Sequence, residues 1–166
     1  MTSQEAAALF AQAEARAREG GTAAELRLYD EIVARCAGDA SALQHALKAL
    51  VNKGVVLAGC GRVQEAIATF DEVLRRAGDT GDHACVERAA IALVNKAVVL
   101  SQQRDTAAAL AAYAAVVQTY GDSAALTLLG YTGTGTPAFV WLPGTTAING
   151  SESWSSWAAG APTEPG

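Results

Sequence analysis

At 166 residues and 17.0 kDa, the chain has room for one domain with a substantial core and is short for two. Hydrophobic residues make up 51% but aromatics only 6%, with alanine filling much of the difference, a bias that favours closely packed helices over sheets. The net charge of −5 and the scattered placement of the 12 lysines and arginines, with Arg75-Arg76 the only adjacent pair, argue against a nucleic-acid-binding surface.

The opening residues carry no basic region, and Glu5, Glu14 and Arg16 interrupt the apolar run a secretory leader needs, so none is expected there. The most apolar stretches, 91–100 and 106–117, fall well short of the ~20 residues that cross a bilayer. Cys36, Cys60 and Cys85 are an odd set without CxxC spacing, which fits reduced thiols and a cytoplasmic protein.

The most informative feature is a repeat. The stretch ALVNKGVVLA at 49–58 returns as ALVNKAVVLS at 92–101, a shift of 43 residues. The match runs on: Ala66 and Phe70 fall on Ala109 and Tyr113, and Gly78-Asp79 on Gly121-Asp122. A fainter copy at a shift of 41 places Leu9 under Leu50, Gly20 under Gly61, and Tyr29-Asp30-Glu31 under Phe70-Asp71-Glu72. Three units are therefore expected, each of two helices and a turn.

In the first unit the small-residue place of the second helix holds Glu25. In the second, Leu43, Leu47, Leu50, Gly54 and Leu57 recur at steps of three and four and line one helix face. Ser41 or Asp39 offers its N-cap, and Gly59 and Gly61 a turn. The partner helix, about 63–76, places Ala66, Ile67, Phe70, Val73 and Leu74 inward and Gln64, Asp71 and Arg75 outward. The third unit predicts helices from Gly81 or Asp82 to Gln102 and from Thr106 to Tyr120. That last helix contains no charge and is expected to be covered by another part of the chain or a second subunit.

Composition changes after Asp122. All four prolines and all three tryptophans lie beyond it, and no lysine or arginine follows Arg104. Residues 123–129 begin like another first helix, but glycines from Gly130 end it, dividing the chain into a helical domain at 1–129 and an irregular tail at 130–166. Residues 137–142 read as one short extended segment, in which Phe139, Trp141 and Leu142 are the nearest bulky groups able to dock on the last helix. A selected docking tail and out-of-frame GC-rich coding sequence give the same composition.

No catalytic constellation emerges. Asp79-Thr80-Gly81 resembles the short string around aspartic-protease carboxylates, but it lies between helices, where Asp and Gly are ordinary turn residues. The glycines at 130–135 follow no strand and precede no lysine, so they form no phosphate cradle. His45, His83 and the cysteines match no metal-ligand spacing, and Ser151, Ser153, Ser155 and Ser156 lack a histidine partner nearby. No cofactor, metal or small-molecule substrate is implied.

Leu50, Gly54, Leu57, Gly61, Ala66 and Phe70 in the second unit, and Leu93, Ala97, Leu100, Arg104, Ala109 and Tyr113 in the third, resemble the tetratricopeptide repeat over roughly residues 6–122. The chain departs from that family in its period of 41 to 43 against ~34, and in lacking a closing proline. The resemblance implies an all-α fold, a right-handed α-α superhelix of about three helix pairs followed by an irregular tail. It also implies a concave groove lined by Phe10, Glu14, Val51, Asn52, Val55, Val94, Asn95, Val98 and Gln102. Such a groove, mostly apolar with two amides and little positive charge, resembles the basic carboxylate clamp of some members poorly; it is expected to bind an extended or helical apolar protein or peptide segment, its asparagines pairing with ligand backbone. Self-assembly through the groove, end faces or tail is the alternative of a different class.

Overall fold

The computed structural model describes residues 1–78 and 82–120, Tyr120 by its backbone alone. The expected docking residues Phe139, Trp141 and Leu142, with the rest of the tail, lie outside the described residues. Among those described, the protein is all-helical: α1 (Ser3–Arg18), α2 (Thr22–Arg35), α3 (Leu43–Gly59), α4 (Val63–Ala77), α5 (His83–Gln102) and α6 (Thr106–Tyr120), with a short 3-10 turn at Ala40–Ala42.

Local chemistry sets these boundaries. Thr2 Oγ1 accepts from the Glu5 N–H at 3.2 Å while the Glu5 carboxylate accepts from the Thr2 N–H at 2.8 Å, a reciprocal cap that starts α1. Asp39 caps the 3-10 turn through the Ser41 N–H at 3.0 Å, and Asp82 caps α5 through the Cys85 N–H at 3.1 Å. The three intra-pair turns share one geometry. Gly21, Arg62 and Asp105 each donate their N–H to the carbonyl five residues back, Arg16, Leu57 and Leu100. The residue before each donor has φ of +73°, +75° and +61°; it is glycine in the first two units and Arg104 in the third. A side chain in that region costs roughly 1–2 kcal/mol. Arg104→Gly should therefore raise stability by about 1 kcal/mol in urea unfolding, and an unchanged midpoint would show that the turn relaxes at no cost.

Helices pair in sequence, α1 with α2, α3 with α4 and α5 with α6, and each second helix packs on the next first helix. The first helices also meet directly, α1 against α3 and α3 against α5. Two equivalent ion pairs recur between units in the same register, Lys53 to Asp30 and Lys96 to Asp71, each 2.5 Å. Tyr29 and Phe70, at equivalent places, are fully buried, while the third copy, Tyr113, is half-buried. At Gly54 the approach is so close that a Cβ would lie 2.8 Å from Phe70 Cζ and closer still to its Cε1. The core runs continuously from Ala6 and Leu9 on α1 to Val99 on α5. A smaller cluster of Leu93, Ala97, Ala112 and Val116 joins α5 to α6.

Candidate functional site

α1, α3 and α5 form one layer in which the 41- and 43-residue shifts align equivalent residues across three helices. Phe10, Val51 and Val94 form one row, and Glu14, Val55 and Val98 another. These nine expected binding positions do not share one environment. Phe10, Val51 and Val98 are buried and belong to the packing between helices. Glu14, Asn52, Val55, Val94 and Asn95 are half-buried, and Gln102 is exposed. The accessible part of the layer is thus narrower than the sequence suggested, because Phe10, Val51 and Val98 are taken up in packing.

The two asparagines hold the same helical phase but make different bonds. Glu25 of α2 is buried, and the Tyr29 hydroxyl donates to its Oε1 at 3.1 Å. Burial, then the charge of Glu25, lifts the Tyr29 hydroxyl above its usual range, and a side-chain hydrogen bond from Asn52 works against that shift. The Asn52 amide of α3 thus acts on the Tyr29–Glu25 pair of the first unit. At the next interface the ring is Phe70, with no hydroxyl to meet, and Asn95 instead donates its Nδ2 to the Ile91 carbonyl one turn back at 3.0 Å. In each case the amide oxygen and a second N–H remain for another partner.

One turn before these rows lies a group that the sequence reading did not single out. Lys48 of α3 places its Nζ 4.4 Å from the centre of the Phe10 ring. Burial, and then Arg88 of α5, push the Lys48 ammonium below its usual pKa, while Glu14 pulls the other way. His45 is held below its usual pKa by burial, Lys48 and the chain's amino terminus, and its Nε2 lies 3.3 Å from Ser3 Oγ. Of the 12 lysines and arginines, Arg16, Arg18, Arg35, Lys53, Arg62, Arg75, Arg76 and Lys96 have carboxylate partners. Lys48 and Arg88 form no ion pair among the described residues, although both are half-buried and the charge of Arg88 acts against that of Lys48. Helical phase was the signal: Lys48 stands three residues before Val51, and Arg88 seven before Asn95.

Among the described residues no group of three or more His, Cys, Asp or Glu could hold a metal ion, and no helix is long and apolar enough to cross a membrane. The Asp79-Thr80-Gly81 string lies outside the described residues. Cys36 and Cys85 are buried and Cys60 is exposed. No protein-family model, curated protein or solved structure matches the chain.

Proposed function

We propose that the chain is a non-catalytic, protein- or peptide-binding repeat scaffold, a right-handed superhelix of tetratricopeptide type whose first helices line the concave side. Its ligand is a segment with an acidic group beside apolar side chains. The observation that carries this reading is Lys48 and Arg88, both half-buried and without a carboxylate partner among the described residues, with Lys48 Nζ 4.4 Å from the centre of the Phe10 ring and its charge disfavoured by Arg88. An incoming carboxylate offsets that effect, and apolar side chains of the ligand meet the half-buried Val55 and Val94 of the same layer. Asn52 and Asn95 contribute their remaining amide groups to the ligand backbone. The odd set of three cysteines without CxxC spacing suits a cytoplasmic setting.

A displayed library of random peptides, selected on the purified protein, tests the reading. Enriched sequences should carry Asp or Glu next to apolar residues, and Lys48→Ala with Arg88→Ala should weaken their binding at least tenfold. Asn52→Ala with Asn95→Ala should weaken it by about 1–3 kcal/mol. Peptides of no charge preference, bound equally by the Lys48/Arg88 variant, would overturn the acidic-ligand reading. The second reading, self-assembly, has the exposed Leu110 and Val117 of α6 in its favour. Light scattering that gives a defined oligomer at all working concentrations would select it.

A further inference from the structure

The chain has three lysines, Lys48, Lys53 and Lys96, and they differ in what holds the ammonium. Lys53 and Lys96 are equivalent across the repeat, and each meets an aspartate of the preceding helix pair, Asp30 and Asp71, at 2.5 Å. Lys48 has no such partner. Among the described residues its Nζ makes no hydrogen bond or ion pair, and it stands instead 4.4 Å from the centre of the Phe10 ring. All three residues are half-buried, so exposure does not separate them. Burial and then Arg88 of α5 disfavour the Lys48 ammonium, with Glu14 of α1 acting the other way. An amine that is desolvated and stands beside a second cation sheds its proton more readily, and the neutral amine is the nucleophile. An ammonium in contact with a carboxylate keeps its proton.

We propose that Lys48 is a modification site, the lysine of this chain that takes an acyl group from an anionic donor of the acyl phosphate class, with Arg88 attracting the phosphate. Arg88 is half-buried and, like Lys48, has no carboxylate partner among the described residues, so its charge is available to an anion. The neutral Nζ, its first proton given to water, attacks the carbonyl carbon of the donor. The N–C bond forms, the C–O bond to phosphate breaks, phosphate leaves with the bonding pair, and a second amine proton goes to solvent. The product is an uncharged amide beside the Phe10 ring, which ends the cation–π contact. It also removes the cation that an acidic ligand would meet. That last consequence rests on the proposed groove ligand, whereas the modification itself does not.

Acetyl phosphate added in limiting amount to the full-length protein, followed by peptide mass mapping, ranks the three lysines in one sample. Lys48 should be acetylated several-fold faster than Lys53 or Lys96. Equal rates at the three, or Lys48 the slowest, overturn the proposal. Arg88→Gln should slow Lys48 more towards acetyl phosphate than towards uncharged p-nitrophenyl acetate, with helical circular dichroism checking that the fold is kept. Equal slowing with the two reagents overturns the preference for an anionic donor. Binding of the acidic peptides is measured separately, before and after acetylation, and should weaken as Lys48 is consumed. Undiminished binding by protein acetylated at Lys48 would overturn the groove reading and leave the modification site standing.

Discussion

Phe70→Ala should lower the stability of the protein by about 3–5 kcal/mol, a large share of the ~5–15 kcal/mol available to a domain. The ring is fully buried between the helices of the second unit, against the backbone of Gly54, and neighbouring positions are fixed by helices on both sides. Its removal leaves a cavity that these helices can close only in part. The same contact makes a second result diagnostic. Gly54→Ala favours the helix by about 1 kcal/mol in isolation, but its methyl group would overlap the Phe70 ring and should cost more than it contributes. In the Phe70→Ala background the obstruction is gone, so Gly54→Ala should become neutral or stabilising. Chemical denaturation of the four proteins gives the coupling directly. Additive effects would mean that the ring and the glycine do not meet.

The repeat in the sequence was sufficient to place the helices, because Leu50, Gly54, Leu57, Ala66 and Phe70 state both the helical period and the close approach of the pair. The Thr106–Tyr120 helix was also legible, down to its ends. The candidate layer of α1, α3 and α5 was less so. A shift of 41 or 43 identifies equivalent positions but not how far neighbouring helices close over them, and Phe10, Val51 and Val98 turn out to be buried. The charges Lys48 and Arg88 escaped notice because they occupy different rows of the repeat and come together only when α3 packs on α5. Likewise Glu25 reads in sequence as a defect at a small-residue place. Its partner Tyr29 lies one turn on, but the partnership depends on both side chains being buried together.

Tyr29→Phe should destabilise the protein by about 1–3 kcal/mol at neutral pH, with the loss growing as pH rises. Phenylalanine fills the same space, as Phe70 does in the next unit, so the effect isolates the hydroxyl. In the parent that hydroxyl donates to Glu25 Oε1 at 3.1 Å inside a core where Glu25 is 2% exposed. Burial raises the Glu25 carboxyl above its usual 4.5, and the Tyr29 hydrogen bond lowers it only in part. A carboxyl with a raised folded-state pKa stabilises the fold fully below its unfolded value, and that contribution is lost as pH climbs through the folded value. Removing the donor raises the folded value further, so the variant should match the parent most closely near pH 4 and fall behind it towards pH 8. Other carboxylates act in the opposite sense. Glu72, held to about 2 by its hydrogen bonds to Arg75 and Arg76, contributes stability above the usual carboxylate range. The raw profile therefore mixes both signs, and the comparison must be between variants. Glu25→Gln keeps an oxygen to accept from Tyr29 and removes the buried charge, so it should gain about 1 kcal/mol over the parent at pH 8 and little at pH 4. In that background Tyr29→Phe should lose its dependence on pH. Urea unfolding of the four proteins at intervals from pH 4 to pH 8 measures each difference, and a Tyr29→Phe penalty of constant size with Glu25 in place would show that the carboxylate is not held by that hydroxyl.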